Sequence, residues 1–166
     1  MTRRIIEPLG LADTYYPAQG DTGLRSPFAH GYELQGGTRT DVTAFNASAA
    51  GMSGSLISTN EDTSAFLGAL LGGRVIPPAE LEQMRDTVPH PENGPGFRYG
   101  LGLASIDLPC GVTVWGHGGD VEGYHSLMMK PLDGAAISMT VTQGSASDTV
   151  DDDPRAAVVN AYYCGG

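Results

Sequence analysis

Val114-Trp115-Gly116-His117-Gly118-Gly119-Asp120-Val121-Glu122-Gly123-Tyr124 is the stretch on which the fold turns. Up to the histidine it alternates. Val112, Val114 and Gly116 fall on one side, and Thr113, Trp115 and His117 on the other, the period of a β-strand. The pattern predicts a strand over Val112–His117 with the histidine at its end and two glycines directly after it. Glycine there removes side chains, so a ligand backbone can come close. It also leaves N–H groups free to stabilise an oxyanion. A plain glycine-rich hairpin loop with a surface histidine describes the same residues, and on this stretch alone both readings stand.

Outward from it, further strands are expected at Phe97–Leu103, Tyr124–Lys130 and Ala135–Thr142. Ala135, Ile137, Met139 and Val141 share one face of the last. Pro131-Leu132-Asp133-Gly134 carries the Asp-Gly hairpin signal. Ser145–Asp153 reads as an acidic loop, and Asp153-Pro154 opens a closing helix whose dipole suits the preceding aspartates.

The first half is helical and loop-rich. Thr2–Glu7 reads as the tail of a helix stopped by Pro8, and Asp13–Thr43 as loop. Ser58-Thr59-Asn60-Glu61 matches a capping box with Ser58 as N-cap. Phe66, Leu67, Leu70 and Leu71 then recur at helical spacing until Gly72-Gly73. A second helix is expected from Pro77-Pro78, with Leu81, Met84 and Val88 on one stripe. The division is 1–95, helices and loops, and 96–166, sheet and closing helix. The fold class is therefore mixed α/β (α+β), with antiparallel strands and flanking helices.

Composition narrows the function. With 166 residues, 40% of them hydrophobic, the chain can bury one real core. A net charge of −10 repels phosphate backbones and anionic headgroups, so nucleic acid and membrane surfaces are poor partners. No apolar run approaches the roughly 20 residues of a membrane span. Arg3-Arg4 imitates the start of an export signal, but Glu7 and Pro8 interrupt any apolar region, so no signal peptide is expected. Cys110 and Cys164 are either bridged, which points to an oxidising compartment, or two buried thiols.

Five segments together resemble the serine β-lactamases and D-Ala-D-Ala carboxypeptidases, with their esterase relatives. They are Glu7-Pro8-Leu9-Gly10-Leu11-Ala12-Asp13-Thr14, His30-Gly31-Tyr32, the run from Asn46 to Thr59, Tyr99-Gly100-Leu101-Gly102-Leu103, and Gly116-His117-Gly118-Gly119. They stand in family order over nearly the whole chain. The resemblance implies a β-lactamase/transpeptidase-like fold, of which this is the C-terminal part: some sheet strands, flanking helices and part of the helical subdomain. The nearest likeness, to secreted carboxypeptidases with cysteines in the same places, implies a Cys110–Cys164 disulfide. It also implies a parent protein that is secreted or exposed on the cell envelope. In such enzymes a Ser-x-x-Lys motif supplies nucleophile and base, a Tyr-x-Asn motif shuttles protons, and a Lys/His-Thr/Ser/Gly-Gly triad forms a third wall. The resemblance places that wall at His117, Gly118 and Gly119, with the backbone N–H of Asp120 as one oxyanion donor.

The other two motifs do not occur here. The one lysine is Lys130, and the residue three before it is Leu127. No Tyr-x-Asn is present, and Ser58-Thr59-Asn60 is better explained as helix capping. With the abrupt start at Met1, this leads us to expect a truncation or one half of a split protein, inactive alone and completed by an N-terminal chain. The expected substrate is a small-molecule or peptidoglycan-like acyl compound. The relatives hold a terminal carboxylate with hydroxyls and a basic residue where this chain has Gly118, Asp120 and Ala104. Asp120 should repel such a carboxylate, which favours an ester or amide without one. The rival reading is a non-catalytic binding module on the same half-fold, using a sheet edge left open. No cofactor and no metal are expected. His117 and His125 on adjacent strands are the nearest approach to a metal pair. Asp148, Asp151, Asp152 and Asp153 read as a solvated loop and helix start rather than a calcium site. No Gly-x-Ser-x-Gly elbow marks an internal nucleophile.

Overall fold

A computed structural model describes residues 1–143 and 153–165. Most of the expected acidic loop, with Asp148, Asp151 and Asp152, lies outside the described residues.

Thr2–Arg4 forms a short 3-10 turn and Ile6–Leu9 a single helical turn, α1. Pro8 lies inside α1 rather than stopping it, because the first turn of a helix has no use for that N–H. The expected loop contains a hairpin, β1 (Tyr32–Gln35) and β2 (Thr38–Asp41). Its turn, Gly36-Gly37, has φ of 58° and 81°, the left-handed pair that a tight hairpin needs and only glycine adopts freely. At the foot of β2, the hydroxyl and amide of Thr43, and then His30, hold the Asp41 carboxyl down to about 2.

Helix α2 runs Asn60–Leu71. Its N-cap is Thr59 rather than Ser58, and the Thr59 side chain accepts from Asp62 N. Asp62 is buried and takes the Asp13 N–H and the Thr14 hydroxyl, which fixes the register of the cap. Helix α3 runs Pro78–Arg85 and stops short of Val88, which is exposed in the two-residue strand β3 (Val88–Pro89).

Five more strands follow: β4 (Phe97–Tyr99), β5 (Ala104–Asp107), β6 (Thr113–Val121), β7 (Tyr124–Pro131) and β8 (Ile137–Val141). Of the expected strand over Phe97–Leu103 only Phe97–Tyr99 is strand, and Gly100–Leu103 turns the chain into β5. Gly100 packs against the end of α3, where a Cβ would lie 2.2 Å from the Met84 carbonyl oxygen, so the fold requires glycine there. Strand order is β3-β4-β5-β6-β7-β8, every neighbour antiparallel. The closing helix α4 spans Pro154–Cys164 with Asp153 as N-cap.

Alternation sends the side chains of β6 to two cores. Val114 faces back with Ile106, Leu108, Leu127 and Met129, and α4 seals this core with Val159. Val114 and Val159 are essentially inaccessible, each contributing about 2 kcal/mol by burial. Trp115 faces front, against Leu70, Leu81 and Leu103, with the Arg85 guanidinium 4.9 Å from its ring centre. Helix α2 is tied to the front of β8 by Thr63–Ser138 and Thr140–Asn60 hydrogen bonds. The end of α4 is held by Tyr163, whose hydroxyl lies 3.0 Å from the Met129 carbonyl and 2.8 Å from that of Ala135. Cys164 is bonded to Cys110 in the β5–β6 turn.

Two outcomes follow. Replacing both cysteines by alanine opens a link across 54 residues and is expected to cost about 4 kcal/mol in denaturant unfolding. Burial pushes the Tyr163 phenol up to about 12. The folded state therefore keeps a proton that the unfolded chain releases near 10. Stability should be undiminished below about pH 10 and fall from there towards pH 12. In Tyr163→Phe that slope should flatten, read from urea midpoints across the range.

Candidate active site

His117 is not at the end of its strand. β6 continues through Gly118, Gly119 and Asp120 to Val121, and eight successive pairs with β7 run without a bulge from Val114↔Pro131 to Val121↔Tyr124. The two-residue turn Glu122-Gly123 makes Val121 and Tyr124 a hydrogen-bonded pair. From that rung the direction of the backbone groups alternates strictly. Val121, Gly119 and His117 spend their N–H and C=O on β7, whereas Asp120, Gly118 and Gly116 direct theirs to the opposite side. There Gly116 meets Ala104, the first residue of β5. β5 goes no further. Gly118 and Asp120 therefore face an edge that carries no strand among the described residues.

Beside this edge stands the His117 ring. Its Nδ1 carries the hydrogen, because its partner is the Gly118 carbonyl oxygen. In the neutral ring Nε2 then accepts from the Tyr99 hydroxyl at 2.8 Å. Both nitrogens are thus engaged and the ring orientation is fixed. Tyr99 ends β4, and its hydroxyl was not assigned any function in the sequence, although the Tyr-Gly-Leu-Gly-Leu segment that contains it was evident.

The glycines differ in what the protein's own packing asks of them. A Cβ on Gly116 would fall 1.8 Å from Met128 O, so the fold requires glycine there. At Gly118 the nearest atoms, Ser126 O and a Leu127 methyl, lie 3.3 and 3.4 Å away, a tight fit. At Gly119 the nearest atom is Ser126 Oγ at 3.6 Å, ordinary van der Waals distance. Among the described residues nothing requires glycine at 119.

Asp120 behaves differently from its sequence expectation. Its side chain points to the α4 side, opposite His117, where Oδ1 accepts from His125 Nδ1 at 2.9 Å and Arg155 Nη1 at 3.0 Å. A carboxylate so paired exerts much less repulsion on an anion in front of the sheet. Ala104 is buried in β5 and offers no charge. His125 shares the Asp120 face, so His117 and His125 lie on opposite sides of the sheet and do not converge. Among the described residues no group of three His, Cys, Asp or Glu is placed to hold a metal ion.

The hairpin tip is gripped from outside. A Cβ on Gly31 would lie 2.6 Å from the Tyr124 ring, and one on Gly123 2.6 Å from Val42. Glu33 accepts the Gly123 N–H, and the Tyr124 hydroxyl donates to Ala29 O. The His30-Gly31-Tyr32 segment thus supports the end of the strand that carries Gly118–Asp120.

The β-lactamase family model matches residues 1–161. The chain belongs to the beta-lactamase family. It is similar to a D-stereospecific amidohydrolase from Streptomyces sp., at 35% identity and TM-score 0.88, over 99% of this chain and 47% of that one. It is also similar to a D-amino acid amidase from Ochrobactrum anthropi SV3, at 27% identity and TM-score 0.74, over 89% of this chain and 44% of that one. An octameric penicillin-binding protein homologue from Pyrococcus abyssi shares the fold, at 21% identity and TM-score 0.72, over 99% of this chain and 36% of that one. The chain thus spans about half the length of the first two of these and a little over a third of the last.

Glycine replacements should separate folding from binding. Gly116→Ala is expected to lose the cooperative thermal transition. Gly119→Ala should melt within a few degrees of the unaltered protein, measured by circular dichroism.

Proposed function

We propose that this chain supplies the oxyanion-bearing wall of a serine acyl hydrolase acting on amides or esters of D-configured amino acids. The observation that carries the proposal is the edge of β6 that no strand pairs among the described residues, where the N–H groups of Gly118 and Asp120 face outward beside His117, whose Nδ1 donates to the Gly118 carbonyl. A substrate in extended form lies along that edge as an added strand, opposite Gly118 and Asp120, with Gly119 leaving room for it. A serine outside this chain attacks the carbonyl carbon and gives up its proton to a base. The resulting oxyanion takes hydrogen bonds from the serine's own N–H and from the Asp120 N–H. Collapse of the tetrahedral intermediate protonates and expels the amine or alcohol and leaves an acyl-enzyme, which water hydrolyses. His117 hydrogen-bonds the substrate or the reacting serine by exchanging one of its present partners, the Tyr99 hydroxyl or the Gly118 carbonyl, for it.

The same residues support the substrate class. Gly118 and Ala104 carry no hydroxyl or cation and the Asp120 charge is engaged behind the sheet, so these three positions do not recruit a free terminal carboxylate. Two of the similar structures are enzymes named for D-stereospecific or D-amino acid amide hydrolysis. The disulfide suits an oxidising compartment outside the cytoplasm. A non-catalytic binding role is the second reading, favoured by the lack of any Ser-x-x-Lys in this sequence if the chain acts alone.

A fluorophosphonate and a fluorescent penicillin, followed by denaturing electrophoresis and intact mass, decide between these. The chain alone should form no adduct. Together with a polypeptide that supplies Ser-x-x-Lys and Tyr-x-Asn, it should support stoichiometric labelling of that partner's serine. It should also support hydrolysis of D-phenylalanine amide faster than of a peptide ending in D-Ala-D-Ala. A covalent adduct on this chain would overturn the proposal, and failure of the complemented pair to label would favour the binding role.

A further inference from the structure

The back of β6 carries a polar cluster that neither packing nor the chemistry above accounts for. Arg155, in the first turn of α4, is 6% exposed. Its guanidinium reaches three elements at once: Asp120 Oδ1 on β6 at 3.0 Å, the Ser126 carbonyl on β7 at 2.9 Å, and the helix N-cap Asp153 through Nε and Nη2. Burial works against its charge, but the hydrogen bonds and charges of Asp153 and Asp120 outweigh this and raise its pKa. His125, 7% exposed, adds a second donor to Asp120 Oδ1, so Nδ1 carries its hydrogen. Asp120 pairs with His125, and Gly119 with Ser126. The cluster therefore fastens two neighbouring rungs of the β6–β7 hairpin to α4, just where β6 has lost the support of β5.

Taking the reading under Proposed function as its basis, we propose that Asp120 acts through both its halves: its N–H faces the substrate edge, and its carboxylate, clamped by Arg155 and His125, is a positioning group that holds that N–H in place. A strand end with one free edge and two glycines is by itself soft. Hydrogen-bond donors stabilise a transition state only if they are fixed before charge develops. The clamp supplies that rigidity from the side of the sheet the substrate does not use, so it improves stabilisation of the transition state without touching the ground-state substrate. Its loss should therefore lower kcat and leave KM nearly unchanged.

The test has two independent readouts. In this chain as it stands, Arg155→Lys keeps the charge but loses the planar fork, and Asp120→Asn keeps the shape but loses the charge. Backbone NMR order parameters at Gly118–Asp120 should fall from about 0.85 towards 0.6 in both, with β7 at Met128–Lys130 unaffected. In the complemented, catalytically competent assembly both variants should lower kcat for D-phenylalanine amide about 10- to 100-fold, with KM within about two-fold. Val159→Ala, in the same helix but against the apolar core, should lower thermal stability and leave kcat intact. Should Arg155→Lys not fold, Asp120→Asn decides alone. Unchanged order parameters, or a kcat equal to that of the unaltered assembly in a folded variant, would overturn the clamp. If the unaltered assembly hydrolyses no amide or ester, the acyl-transfer reading falls instead, and the order parameters still decide whether the clamp exists.

Discussion

The unbroken pairing of β6 with β7 is the constraint from which the rest follows. Because eight rungs run without a bulge, the side chains of β6 divide cleanly between two cores and its backbone groups between two edges. Val114 goes to the back and Trp115 to the front, and each recruits its own helices. The same alternation turns the backbone of Gly118 and Asp120 towards the side where β5 has ended. A slip of one residue would move Val114 out of its core and turn the free N–H groups inward. Core packing and the orientation of the edge are thus one commitment, enforced by the tight approach of Gly116 to the Met128 carbonyl.

Much of this was legible in the sequence, and the failures have physical causes. The strands over Tyr124–Lys130 and Ala135–Thr142 and the helix after Asp153 declared themselves through alternation and capping, and the disulfide through the family likeness. β6 was cut short at His117 because Gly118 and Gly119 carry no side chains, and a hydropathy pattern cannot run through them. β5 was missed because Ala104-Ser105-Ile106-Asp107 is too short to show a period. The β1–β2 hairpin has its signal in Gly36-Gly37, but polar flanks conceal its strands.

The candidate site was legible in part. His117 and the glycines stood out as a motif, but the partners that orient them did not. Tyr99 reaches His117 from two strands away, and Arg155 reaches Asp120 across 35 residues, separations that no local pattern encodes. The side chain of Asp120 was assigned to the substrate side because the sequence does not say which face a residue takes once glycines hide the strand. Membership of the beta-lactamase family gives the chain its fold. The residues behind the sheet set the electrostatics around Asp120.

Helix α4 lies along the back of β6 and runs against it. Its first turn meets the hairpin near Asp120, and its last residue is bonded to the β5–β6 turn. The last turn of α4 therefore lies at the end of the sheet farthest from the open edge. A tether attached there, to a bead, an electrode or a fused cargo, would pull on the disulfide and the β5–β6 turn first. The face beside His117 would point away from the support.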